Sequence, residues 1–224
     1  MNDATWFNNP AITSELLPAL GETLAMTAWA TVISVTLGLP LGIWLFVTTP
    51  HSLAPNRTVH QIVSTIVDIG RSIPFIVLIV AIIPFTRLLV GTALGWKAAV
   101  VALTLSAIPF YARLVENALH EVSAGKIEAA QMMGASRRQI IGQVLVREAL
   151  PGLIGAATVT AVALVNYTAM AGAVGGGGLG DLAIAYGYNR YQGDVMIACI
   201  VLLVLVVGLI QFTGDRLARL VDHR

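Results

Sequence analysis

Apolar residues in this chain come in long unbroken runs, not on one helix face or at alternate positions. Such runs belong to segments with no watery side. TLAMTAWATVISVTLGLPLGIWLFVTTP fills the interval between Glu22 and His51, and residues 149–180 carry no charge. VMIACIVLLVLVVGLIQFTG fills the interval between Asp194 and Asp215. A helix crossing a bilayer needs about 20 mainly apolar residues, so each interval predicts a span. The charge-free runs 72–86 and 98–112 are shorter, at 15 residues each. They reach spanning length if Asp68 and Arg71, or Lys97 and Arg113, sit at the interface or face the bundle interior. A long re-entrant hairpin over this middle region is the alternative.

The pattern predicts an all-α integral membrane protein with five transmembrane helices, at about 24–47, 64–86, 95–114, 152–174 and 194–213. Residues 1–19 would precede this transmembrane domain of 20–214, and 215–224 would form a tail. Pro40, Pro74, Pro84 and Pro109 lie in or beside apolar runs, where each removes a backbone donor and can kink a helix. Such kinks serve packing or a solute path.

Composition agrees with the pattern. Only 11% of residues are charged, against roughly 25% in soluble domains, too few to clothe a water-facing surface. A net charge of +1 gives no footprint for nucleic acid. The single cysteine, Cys199, has no partner for an intrachain disulfide and reads as a small buried hydrophobe. The first residues lack the basic start and cleavage site of a signal peptide, so the spans themselves are expected to direct insertion. Of the 13 lysines and arginines, Arg87, Lys97 and Arg190 flank one side of the spans and all others flank the opposite side. Basic flanks stay cytoplasmic, which predicts an external N-terminus and a cytoplasmic C-terminus.

Catalytic chemistry is not expected. The only Gly-Lys pair, Gly125-Lys126, is followed by Ile127, so no phosphate-binding loop of the G-x-x-x-x-G-K-[ST] type occurs. His51, His60, His120 and His223 lack metal-ligand spacing. The glycine run GAVGGGGLG at 172–180 reads as a flexible end of the fourth span.

One segment breaks the oily pattern. KIEAAQMMGASRRQIIGQVLVREALPGL, residues 126–153, is polar and helix-prone. Strong helix formers over 126–133 lead to Gly134, a natural C′ residue. Ser136 stands three residues before Gln139, the spacing of a capping box. The sequence thus predicts a helix–glycine–helix hairpin over about 123–147, on the cytoplasmic side, ended near Pro151. Ile127, Ala130 and Met133 share one side of the first helix, beside Ala129 and Met132. That face either receives another protein or packs on the chain's own helix ends. In the fourth span, Asn166, Tyr167 and Thr168 lie near mid-depth, with Met170 one turn on from Asn166. They either join helices or line a path.

EAAQMMGASRRQIIGQV resembles the signature of permease subunits of bacterial ABC importers. Glu128, Ala129, Ala130, Gly134 and Val144 fall on its positions, while Arg147 stands where the family usually has proline. ETLAMT at 22–27, RSIPF at 71–75, AIPFYARLVENAL at 107–119 and AVGGGGLGDLAIAYGY at 173–188 are similar to the methionine-uptake branch. The resemblance implies a cytoplasmic coupling helix docked on an ATPase subunit, with Glu128, Ala129, Ala130, Met133, Gly134 and Arg137 as docking residues. It implies two copies of the chain around one pathway. Asn166, Tyr167 and Met170, by their place in the fourth span, are the candidates to narrow that pathway. Two ATPase subunits would hold ATP and magnesium, leaving this chain without a cofactor, and an extracytoplasmic methionine-binding protein would deliver the solute. The expected place is the bacterial inner membrane, among lipid. Other readings are an ABC permease for another amino acid or small solute, an ion-coupled secondary transporter, and a non-transporting scaffold. The secondary transporter would need an ionisable residue deep in a span, and spans one, four and five contain none.

Overall fold

A computed structural model describes residues 8–50 and 52–222. His51, His223, Arg224 and the first seven residues of the expected leading segment lie outside them. Among the described residues every regular element is helical, with no strand. The main helices are α1 (Leu16–Thr48), α2 (Arg57–Ser72), α3 (Phe75–Ala81), α4 (Ile83–Val90) and α5 (Trp96–His120). They continue with α6 (Ala124–Met132), α7 (Arg137–Gln139), α8 (Val146–Glu148), α9 (Leu150–Gly172), α10 (Gly178–Leu182) and α11 (Gly193–Val221). π-Helical stretches join some of them, at Ala11–Glu15, Ile140–Leu145 and Ala183–Tyr188.

Four helices cross alone. They are α1 with its leading π turn, α5, α9 and α11, all long and apolar enough to span a membrane. The expected second span does not form one helix over 64–86. α2 and α3 pass the test of length and apolarity only as a pair, bent by 98°. Pro74 lacks the N–H that would continue the ladder and holds Ile73 extended, at φ −78° and ψ 121°. Pro84, in the first turn of α4, sits where a missing donor costs nothing. Pro40 and Pro109, by contrast, lie inside unbroken helices.

Close backbone approach sets the centre of the bundle. A Cβ at Gly42 of α1 would lie 2.5 Å from the Ala112 carbonyl oxygen of α5 and 2.6 Å from Val115 Cβ. Small residues of this kind let membrane helices gain dispersion contact, since lipid supplies no hydrophobic drive between them. α2 sits outside that pair with Val63 and Val67 against Leu45. Its Ile62, Ile66 and Ile69, with Ile73 just past its end, are exposed on the opposite side.

The bundle has two distinct ends. Buried Asn9, just before α1, donates to Gln192 Oε1 at 3.2 Å and Asp194 Oδ2 at 3.0 Å at the start of α11. Asp222, at the far end of α11, borders a cleft with Glu121, Glu148 and Pro151. The two ends of the described chain therefore lie at opposite ends of the bundle, as an odd number of crossings requires.

Candidate coupling hairpin and translocation face

The hairpin forms as its capping chemistry predicts. Gly134 takes φ +79°. Its N–H donates to the Gln131 carbonyl at 2.9 Å, and Ala135 N–H reaches the Ala130 carbonyl at 3.1 Å. These two bonds make a Schellman motif, which satisfies carbonyls that the end of α6 would leave bare. The Ser136 hydroxyl then accepts from Gln139 N–H at 3.4 Å, while Gln139 Oε1 accepts from Ser136 N–H at 2.8 Å. That is the reciprocal capping box. The returning helix widens into the π stretch Ile140–Leu145, tightens into α8, and breaks at Ala149 ahead of Pro151 in the first turn of α9. Arg147 stays helical and exposed, so the break lies at the later proline.

The hairpin has an inner and an outer face. Ile127, Ala130, Ile140 and Leu145 pack into one cluster with Phe46, Leu119 and Leu153. This face is the bundle's own core, and Ala130 supports the surface from beneath. Lys126 pairs with Glu148 across the two helical arms of the hairpin. The outer face carries exposed Glu128, Ala129, Gly134 and Arg137. Between them Met132 and Met133 stand 89% and 81% exposed. Met132 was absent from the expected docking set, although its four-residue offset from Glu128 places both on one face.

Behind the hairpin lies a charge cluster that joins α2 to α5. Arg113 Nη1 donates to Glu116 Oε2 at 2.6 Å; its Nη2 donates to Asp68 Oδ1 at 2.7 Å and Ser64 Oγ at 2.8 Å. Arg71 also pairs with Asp68, more loosely, at 3.9 Å. His120, one turn beyond Glu116, packs edge-on against Phe46 with ring centroids 4.9 Å apart.

On α9 the three candidate pathway residues divide. Asn166 and Met170 are exposed on one side, and Asn166 Nδ2 donates to the Val162 carbonyl at 3.2 Å. Tyr167 turns elsewhere and stacks on Phe75 of α3, 4.9 Å between centroids and 6° from parallel. Tyr167 thus joins helices, while Asn166 and Met170 border open space.

Beyond Met170, the glycine run is not the loose end expected. Gly175, Gly177 and Gly178 all adopt positive φ. The resulting turn delivers Gly178 N–H to Glu22 Oε2 at 2.8 Å and Leu179 N–H to Thr23 Oγ1 at 2.9 Å. Gly95 N–H of the α4–α5 connection reaches the Gly175 carbonyl at 2.8 Å. Glu22 and Thr23 cap the start of α10 from 156 residues away, a long-range counterpart of an N-cap.

Comparison with known proteins identifies this architecture. The family model for the binding-protein-dependent transport system inner membrane component matches residues 34–224. The chain belongs to that family. Like its relatives, this inner membrane component is a multi-pass protein of the inner membrane. It is 52% identical to the D-methionine transport system permease protein MetI of Escherichia coli K12, over 93% of this chain and 96% of that one. It is 46% identical to the methionine import system permease protein MetP of Bacillus subtilis, over 98% of each. A solved structure of inward-facing conformations of the MetNI methionine ABC transporter contains a chain 52% identical, with a TM-score of 0.91. That match covers 92% of this inner membrane component and 96% of the solved chain. A chain of an amino acid ABC transporter, 19% identical with a TM-score of 0.67, shares the fold of the inner membrane component.

Proposed function

We propose that this chain is the permease of an ATP-driven methionine importer. Two copies would enclose one pathway and each would dock on an ATPase subunit, which binds ATP and magnesium and hydrolyses the nucleotide. One observation supports the coupling role above all: the hairpin is fused to the bundle core along Ile127, Ala130 and Ile140, while Glu128, Met132 and Met133 remain free. A handle must be rigid towards what it moves and open towards what moves it. The docking surface is Glu128, Ala129, Met132, Met133, Gly134 and Arg137. The distribution of lysine and arginine supports placing this end in the cytoplasm and the Asn9–Gln192 end outside, where a methionine-binding protein delivers the solute. ATP binding draws the ATPases together, the docked hairpins follow, and the pathway switches from inward- to outward-facing.

Reconstitution with its ATPase and binding protein tests this function. ATP-dependent uptake of labelled L- or D-methionine is expected; uptake of a different solute alone would sink the substrate assignment. Gly134→Val tests the docking role in the same vesicles. A β-branched residue at φ +79° costs about 1–2 kcal/mol, and nothing lies within 4 Å of the added Cβ, so the effect stays in the turn. The variant should insert normally and transport about tenfold less. Unchanged uptake and ATPase binding would count against docking here.

Met170 and Asn166 are the proposed narrowing of the pathway. In a Met170→Cys variant, thiol labelling should differ between nucleotide-free and ATP-trapped vesicles. Equal labelling in both states removes Met170 from the gate.

A further inference from the structure

Phe75 opens α3 directly after the bend in the second span. Only Ile73 and Pro74 separate it from α2, which meets α3 at 98°. The proline ring locks φ at Pro74, so this elbow is short and has little freedom. Phe75 is the one buried residue of α3, at 5% exposure. Its ring lies almost parallel to that of Tyr167 on α9, with centroids 4.9 Å apart. Flat rings attract in a preferred offset geometry, so such a pair fixes direction as well as distance.

Tyr167 stands beside Asn166 and three residues before Met170. At 3.6 residues per turn its side chain leaves α9 about 100° from Asn166 and about 60° from Met170. A shift of the Tyr167 ring therefore swings both exposed side chains. Leu164 and Ala171 of α9 pack in the same buried cluster as Phe75, with Tyr167 against it. Beyond them α9 meets α10 backbone to backbone, since a Cβ on Gly180 would lie 2.5 Å from Ala169 Cα. The bent span thus touches α9 beside the two exposed residues, just before the α10 join.

We propose that Phe75 is a positioning residue for the pathway: its stack on Tyr167 carries movement of the bent span into α9 and orients Asn166 and Met170. This rests on the reading of those two residues as the narrowing. The elbow has an anchor on each arm. α2 is bonded to Arg113 of α5 through Ser64 and Asp68, and α3 is stacked on α9. Packing alone would be met by a branched aliphatic side chain at position 75, whereas orientation requires the ring.

The test uses the complete permease–ATPase complex in vesicles, with Met170→Cys as the parent. Adding Phe75→Leu should change the rate of thiol labelling about fivefold in the nucleotide-free state. Uptake per ATP hydrolysed should fall with it. Tyr167→Phe keeps the stack and should label at the parent's rate. Leu103→Val takes volume from the same buried cluster and leaves both rings in place. It should lower the melting temperature without moving the labelling rate. Labelling or uptake per ATP unmoved by Phe75→Leu overturns the proposal. An equal labelling shift in Leu103→Val or Tyr167→Phe also overturns it, because neither change removes the stack. A parent that labels equally with and without nucleotide, yet shifts with Phe75→Leu, overturns the narrowing and leaves the positioning role of Phe75 standing.

Discussion

Gly180→Ala should unseat the join between α9 and α10 and lower stability by about 3 kcal/mol or more, read as the melting temperature of the purified complex. The reason is geometric. A Cβ on Gly180 would lie 2.5 Å from Ala169 Cα and 2.6 Å from the Ala169 carbonyl oxygen. From the other side, a Cβ on Gly172 would sit 2.2 Å from Asp181 N and 2.5 Å from the Gly180 carbonyl carbon. Both obstacles are backbone, so no side-chain rotation relieves them, and Gly172→Ala should behave alike. Gly208→Ala is the control: nothing lies within 4 Å of its added Cβ, and alanine favours a helix interior. A Gly180→Ala complex melting with the Gly208→Ala control would show that the two backbones are not in contact.

The same join explains what the sequence could and could not disclose. Long apolar runs, Gly134 and the Ser136–Gln139 pair are local signals, and each marked its element. Pro74 marked a break in the second span, but not the 98° angle of the turn, which leaves α3 packed on α5 and α9. The glycine run was misread as slack because its anchors, Glu22 and Thr23, lie at the other end of the chain. Three-residue spacing on one helix allows Arg71 to meet Asp68 and Arg113 to meet Glu116. It could not supply the cross-helix bond from Arg113 to Asp68, 45 residues away. On α6, three-residue spacing grouped Met133 with Ile127 and Ala130, yet the turn at Gly134 leaves Met133 on the outside. Periodicity names the residues of a face and is silent on which face meets the core.

Arg113→Ala should be the most damaging single charge change in the chain. The Glu116 side chain is only 6% exposed and that of Arg113 18%. Removing the guanidinium strands a carboxylate with almost no access to water, a change that costs about 3–5 kcal/mol at buried pairs. Asp68 is 56% exposed and loses less, since water answers for much of its lost partner. Asp68→Asn is therefore expected to cost about 1 kcal/mol or less. Arg113→Lys should fall between, because one ammonium cannot replace the fork that reaches Glu116, Asp68 and Ser64 together. Adding Glu116→Gln to Arg113→Ala should recover stability, since the second change removes the stranded charge. Coupling below about 0.5 kcal/mol in that double-mutant cycle would mean that the two charges act independently. The cluster also bears on transport, because Arg113 fixes α2 to the helix whose end leads into the hairpin at Ala124. With α2 released, a push on the hairpin would move α5 without carrying the bent second span along. Uptake should then fall further than ATP hydrolysis at temperatures where the Arg113→Lys complex remains folded.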